Sequence, residues 1–244
     1  MPALSLRPRF DFGRLAFAAA IVVLAIGPVL WLVNTWRDPA FDSHGFTYFA
    51  IVAVLAAWSL SSARAHGVEA HDRRVAVVLL SATALVRLVG QVSAIDTIGA
   101  LALVIDVYAL ARKAGLHRRA RALSPFWLAV AFAFALPLER IVQRSIGFVL
   151  QDISAQGACA ALSGLFADVQ CAGVRIVVQG ADVLVDLPCS GARALIMFGF
   201  AFATAAAFAR PGLLMATIGA ALALAAAVAG NVLRITLLAS GVAL

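Results

Sequence analysis

Long apolar stretches separated by short polar ones dominate the chain. Residues 14–33, 46–63, 75–93, 95–111, 124–138, 187–209 and 211–230 are each built largely from Ala, Leu, Ile, Val and Phe. A helix rises 1.5 Å per residue and the hydrocarbon core of a bilayer is about 30 Å thick, so roughly 20 such residues cross it. The pattern predicts an all-α polytopic membrane protein with about seven transmembrane helices. The stretch 124–138 is short but runs into 139–150, where Ile141, Val142, Ile146, Val149 and Leu150 recur at helical spacing. Glu139, Arg140, Gln143 and Arg144 fall on the other face, the pattern of a helix that leaves the bilayer and lies along its surface. Farther on, Val174, Ile176 and Val178 alternate with their neighbours, Gln179-Gly180 supplies a turn, and Val183 and Val185 alternate on the return. This predicts a short β-hairpin. A lone hairpin is marginal in water, so it is expected to rest on the surface helix or the bundle. The chain 1–244 thus reads as a single membrane domain, with 139–186 as an extracytoplasmic insert ahead of a helix that carries Cys189.

Composition narrows the class. Of 244 residues 64% are hydrophobic and 13% charged, with a mean hydropathy of +1.00. Soluble domains run near 45–50% apolar and about 25% charged, so a soluble enzyme, a coiled coil and a disordered chain are excluded. The net charge of +7 raises the question of nucleic acid, and placement answers it. Arg7, Arg9 and Arg14, then Arg64, Arg73 and Arg74, then Arg112, Lys113, Arg118, Arg119 and Arg121, then Arg210 all fall between alternate spans. That is the positive-inside arrangement of an inner-membrane protein with a cytoplasmic N-terminus and with loops 34–45 and 139–186 outside. No nucleic-acid partner is needed to explain it. The first span has no cleavage pattern before it and is expected to stay as an anchor. Three Cys and four His, scattered, suggest neither a metal cluster nor a cofactor site.

Two stretches carry candidate chemistry. In Asp186-Leu187-Pro188-Cys189-Ser190-Gly191-Ala192-Arg193, Pro188 suits a helix start, which would place Cys189 in the first turn of the sixth span. A thiol there feels the positive end of the helix dipole, and Arg193 adds a second positive charge four residues on. The alternative is a small buried hydrophobe that happens to be Cys. The second stretch is Asn231-Val232-Leu233-Arg234, which topology places at the same depth and side as Cys189. An Arg near the membrane core costs about 2.5–3.5 kcal/mol on insertion scales, so it has a role or a partner, or it snorkels from a helix end. Cys159 and Cys171, 12 positions apart in the outer insert, can form a disulfide in an oxidising compartment or remain two thiols. Arg87 and Asp96 are placed to pair near the outer end of the third and fourth spans, with Asp106 deeper.

Together the two stretches resemble the exosortase/archaeosortase family of membrane cysteine transpeptidases, whose centre is a Cys-Ser-Gly-x-Arg run opening a membrane helix and an Asn-x-x-Arg on the next. The outer loop Trp36-Arg37-Asp38-Pro39-Ala40-Phe41-Asp42-Ser43-His44-Gly45, the Leu136-Pro137-Leu138 segment and the hairpin before the Cys are also similar to the family's. The resemblance implies cleavage of C-terminal sorting signals on exported proteins: a short motif, one hydrophobic helix and a basic tail. It implies Cys189 as the nucleophile that forms an acyl-enzyme, Arg234 as the stabiliser of oxyanion or thiolate, and Arg193 and Asn231 as substrate-binding residues. The family's third residue, a His in most bacterial members, lies well downstream of the Asn-x-x-Arg, and only ten residues follow Arg234 here. Either that His lies beyond residue 244 or another base serves, and His44 in the outer loop is the candidate. The competing reading is a non-catalytic membrane protein: a small transporter using Asp106 and Arg87, or an inactive scaffold of the same outline.

Overall fold

The computed structural model describes residues 12–39, 43–63, 69–186 and 191–243. Among the described residues eight α-helices accompany one small sheet: α1 (Phe12–Arg37), α2 (Gly45–Leu60), α3 (Ala70–Val92), α4 (Asp96–Lys113), α5 (Pro125–Ala133), α6 (Leu138–Ser163), α7 (Ala192–Ala209) and α8 (Leu213–Ala243). Between α6 and α7 lie β1 (Val169–Ala172), β2 (Arg175–Val178) and β3 (Ala181–Leu184). Four helices are long and apolar enough to cross a membrane, in α1, α3, α7 and α8. A fifth span results if α5 and α6, bent by 76° at the break between them, are taken together. With the length and apolarity of these helices the chain is a multi-pass membrane protein, and the seven spans expected from hydropathy are not confirmed among the described residues. The stretch 46–63 yields a helix of only 16 residues, and α4 carries Asp96, Asp106, Arg112 and Lys113 within its 18.

The break at 134–137 has a local cause. Ser124 caps α5 by accepting from the Trp127 N–H at 3.5 Å, and Pro125 sits in its first turn, where its missing N–H costs nothing. Pro137 then stands just ahead of α6 and cannot continue a helical ladder from α5. Where the sequence reading has one helix leave the bilayer and lie along its surface, the structure has two helices, α5 and α6, meeting at a 76° corner. On α6 the stripe that packs inward is Gly147, Leu150, Gln151, Ser154, Ala155, Ala158 and Leu162, while Ile141, Phe148, Val149 and Ile153 are exposed. Small and polar side chains facing protein, with large apolar ones facing out, is the distribution expected where lipid is the solvent.

The sheet has three antiparallel strands in the order β1-β2-β3, one more than the hairpin that alternation predicts. Val178 pairs with Ala181 around Gln179-Gly180, whose φ values of 50° and 83° make the two-residue turn that matches strand twist. Ile176, Val178 and Val185 are buried against Ala155, Ala158 and Leu162 of α6 and Ile235 and Ala239 of α8. A disulfide joins Cys159 on α6 to Cys171 on β1, with Cα atoms 6.4 Å apart. On the exposed face the Arg175 guanidinium chelates Asp182 (2.8 and 3.0 Å from Nε) and holds its carboxyl below the usual carboxylate range.

Two polar knots tie α3 to α4. Midway along, Arg87, which is fully buried, donates to Asp106 at 2.6 Å and to Thr83 Oγ1 at 3.2 Å, and Thr83 donates to Asp106 at 2.5 Å. This corrects the expected Arg87–Asp96 pair: Asp96 is exposed in the first turn of α4. At the arginine-rich end, buried Asp72 takes Arg112, Arg118 at 3.3 Å and His117 at 3.5 Å. Close approach of α1 to α4 rests on Gly99, where a Cβ would stand 2.6 Å from Pro28 Cγ.

Removing one member of a buried pair strands the other charge. Asp106→Ala is expected to destabilise the protein by about 3–5 kcal/mol in a detergent unfolding titration, whereas Arg87→Met with Asp106→Leu costs far less. Equal losses in the two variants would show that the pair itself carries the stability.

Candidate functional site

The end of the bundle that carries the sheet also holds Arg193 and Asn231, two of the residues singled out in the sequence. α7 opens at Ala192, with Gly191 as its N-cap at φ +90°, rather than at Pro188. Leu187, Pro188, Cys189 and Ser190 lie outside the described residues, so the expected place of Cys189 in a first helical turn lies outside them too. Both flanks of that run are nevertheless fixed. Upstream, Val185 N–H donates to Val174 O at 2.9 Å, and the buried Gln151 amide of α6 donates to the Val185 carbonyl. Downstream, a Cβ on Gly191 would lie 3.0 Å from Asn231 Nδ2 and 3.1 Å from its Cγ. Gly191 is demanded twice, by a left-handed backbone and by lack of room.

Asn231 is itself a junction. It is 3% exposed, and its Nδ2 donates to Ser154 Oγ on α6 at 2.9 Å. One turn away, a Cβ on Gly157 would sit 2.7 Å from Val232 Cγ2, so α6 and α8 touch almost backbone to side chain. These contacts bring the start of the Asn231–Arg234 run against the end of the Cys189–Gly191 run, although 40 positions separate Gly191 from Asn231. Arg234 is exposed on α8, three residues after Asn231 and so near it on the helix surface.

Arg193 points to a second group. Its Nε donates to Glu139 Oε1 at 3.3 Å, joining the first turn of α7 to the first turn of α6. Both line a cleft with Ser43, His44, Tyr48 and Pro137, whose free volume of about 20 Å³ is room for one water. His44 is exposed at the N-cap of α2, edge-on to Tyr48 with ring centroids 6.5 Å apart. The Ser-His-Gly stretch is held there by Trp36, whose Nε1 donates to Ala135 O at 2.7 Å. A Cβ on Gly45 would come within 2.2 Å of that same Nε1 and 2.5 Å of the same carbonyl. Only glycine lets the loop before α2 close onto the α5–α6 corner.

Among the described candidates, the structure brings Asn231 beside Gly191 and sets His44 and Arg193 on one cleft, two adjoining groups at the start of α7. Arg234 is not among the residues lining the His44 cleft. Sequence reasoning missed Glu139, Gln151 and Ser154. Glu139 read as one more outer charge. Gln151 and Ser154, three apart on the buried stripe of an amphipathic helix, were the legible signal, since polar groups on such a face need partners.

A family model described as Transmembrane exosortase matches residues 35–242. The chain belongs to the transmembrane exosortase family. The match takes in every element that builds the site, from the Trp36–Gly45 loop through the α5–α6 corner and the sheet to Arg234 on α8. Neither the comparison with curated proteins nor that with solved structures gives a match. Within this exosortase the glycines that permit close approach, Gly45 and Gly191, belong to the Ser-His-Gly and Cys-Ser-Gly runs that the sequence marks out.

The Arg193–Glu139 contact is partly solvated, with side chains 43% and 16% exposed, so its worth is modest. A double-mutant cycle on Arg193→Gln and Glu139→Gln is expected to return a coupling of about 0.5 kcal/mol that shrinks with added salt. Additive losses would mean that Glu139 does not hold Arg193.

Proposed function

We propose that this exosortase is a membrane thiol transpeptidase that cleaves the C-terminal sorting signal of exported proteins. Gly191 packed against Asn231 is the observation that carries the reading. Cys189 stands two peptide bonds before Gly191, a reach of at most about 7 Å along the backbone, which supports a thiol within range of the Asn231–Arg234 run. In the reaction, the Cys189 thiolate attacks the scissile carbonyl, a C–S bond forms, and the carbonyl oxygen takes the negative charge. Arg234, a fixed planar cation, stabilises that charge. The C–N bond then breaks and the leaving amine takes a proton, which His44 supplies as its conjugate acid. An acceptor then attacks the thioester carbon and gives its proton to His44, the C–S bond breaks, and the thiolate and the protonated His44 are regenerated. Arg193 and Asn231 orient the substrate backbone around the thiol.

The same reading sets the molecule in a bacterial inner membrane with the arginine-rich end in the cytoplasm and the sheet end outside. The clustering of Arg112, Arg118, Arg119 and Arg121 at one end supports that direction. The transporter alternative draws no support from Asp106 and Arg87, which neutralise each other inside the α3–α4 pair. Substrates are exported proteins ending in a motif, one hydrophobic helix and a basic tail.

Co-expression with an exported reporter bearing such a signal is expected to yield a processed form, followed by immunoblot. Cys189→Ser should abolish it, and Arg234→Ala should slow it by about 100- to 1,000-fold, the usual loss for one oxyanion donor. His44→Ala should shift the pH dependence of processing as well as lower it. Processing that persists in Cys189→Ser would overturn the reading.

A further inference from the structure

The sheet has an open side, and its strand directions say what fits there. In the order β1-β2-β3, β3 is an edge strand, and no strand lies beyond it among the described residues. Hydrogen-bond parity identifies the groups it presents. Ala181 closes the two-residue turn opposite Val178, Val183 faces Ile176, and the Val185 N–H reaches Val174 O. In an antiparallel ladder the backbone groups of alternate residues point to opposite sides, so 181, 183 and 185 serve β2. The N–H and C=O of Asp182 and Leu184 therefore point away from the sheet, and both residues are exposed, Leu184 by 59%. Behind this edge the sheet is braced by its buried face on α6 and α8 and by the Cys159–Cys171 disulfide.

We infer that the outer edge of β3 is a docking site for the extended segment of the substrate that precedes its membrane helix, added as a fourth strand parallel to β3. The inference rests on the proposed function. Its physical content is continuity: β3 runs on from Leu184 through Asp186 into the Cys189 run, so a peptide paired along it is led to the thiol. Direction follows from topology. β3 runs from the Gln179-Gly180 turn toward α7, a helix long and apolar enough to cross a membrane. A chain whose own C-terminal side enters the bilayer must run the same way, hence parallel. Main-chain pairing supplies affinity without demanding particular side chains, and an unpaired edge is the ordinary template for it.

The test separates docking from chemistry. In a Cys189→Ala background, Leu184→p-benzoyl-phenylalanine and, on the opposite edge strand, Gln170→p-benzoyl-phenylalanine are photolysed with the reporter substrate in membranes. Cross-links are expected from position 184, mapping to the residues just ahead of the substrate's hydrophobic helix, and not from 170. In the Cys189 protein, Leu184→Pro removes an N–H that the β2 ladder does not use, so the sheet should persist, read as an intact Cys159–Cys171 disulfide. Processing should fall about 2- to 10-fold, the worth of one hydrogen bond. Cross-linking from both positions equally, or from neither, overturns the inference, as does unchanged processing in Leu184→Pro. Processing without a cross-link at 184 overturns the edge alone. A cross-link at 184 without processing by the unmodified protein overturns the proposed function and leaves the docking site standing.

Discussion

The sheet-bearing end of this molecule depends on how closely α8 can approach α6 and the start of α7. In a bilayer, apolar surface gives no reason for two helices to prefer each other over lipid, so contact must come from close packing and hydrogen bonds. Gly157 and Gly191 provide the first, since neither leaves room for a Cβ beside Val232 or Asn231. The Asn231–Ser154 bond provides the second. One asparagine thus holds three helices, and it is the first residue of the Asn-x-x-Arg run. The run is a packing device: Asn231 turned inward fixes the azimuth of α8, which sets where Arg234, three residues on, projects.

A second corner works by the same means. Trp36, Gly45 and the Ala135 carbonyl close the loop before α2 onto the α5–α6 break, and the break exists because Pro137 ends the continuity of the two helices. Without that 76° bend, α6 would continue along α5 and carry Glu139 and Gln151 away from α7 and β3. The bend explains why a helix with so little apolar surface facing inward is retained. Its inward stripe is a set of handles: Glu139 for Arg193, Gln151 for the Val185 carbonyl, Ser154 for Asn231. Each handle grips an element next to the Cys189 run.

Much of this was readable in the chain, and the failures have physical reasons. The β2–β3 hairpin shows itself because alternation and a Gln-Gly turn are both local signals. β1, Val169-Gln170-Cys171-Ala172, has no alternation to show, and its pairing is a property of the sheet. Seven spans are not confirmed among the described residues, because hydropathy sums a stretch without asking where its helix begins and ends: 46–63 contributes only the 16 residues of α2, and α4 carries four charged residues within its 18. Arg87 and Asp106 were each visible as costly intramembrane charges, but their pairing depends on the length of the α3–α4 turn, which residue types do not encode. The Cys-Ser-Gly and Asn-x-x-Arg runs were legible as candidates, and the approach of Gly191 to Asn231 agrees with the depth that topology gives the two runs. Glu139 was not, because an acidic residue after Pro-Leu in a first turn is also what any helix N-terminus favours.

The distribution of charge between the middle of the bundle and its sheet-bearing end bears on where the proposed chemistry would sit. Arg87 and Asp106 are buried, mutually satisfied and bonded to Thr83, a closed set with nothing left to offer a substrate. Arg193 and Glu139 are the same pair of charges in another setting: partly solvated, joined by a 3.3 Å bond, and bordering a cleft with His44. A contact worth a few tenths of a kcal/mol can be exchanged for one with an incoming backbone or carboxylate at little cost, whereas the buried pair resists exchange by several. In a low-dielectric environment a reactive site needs charges that are positioned yet available. Such charges are affordable only where water still reaches, at the end of the bundle and not in its middle.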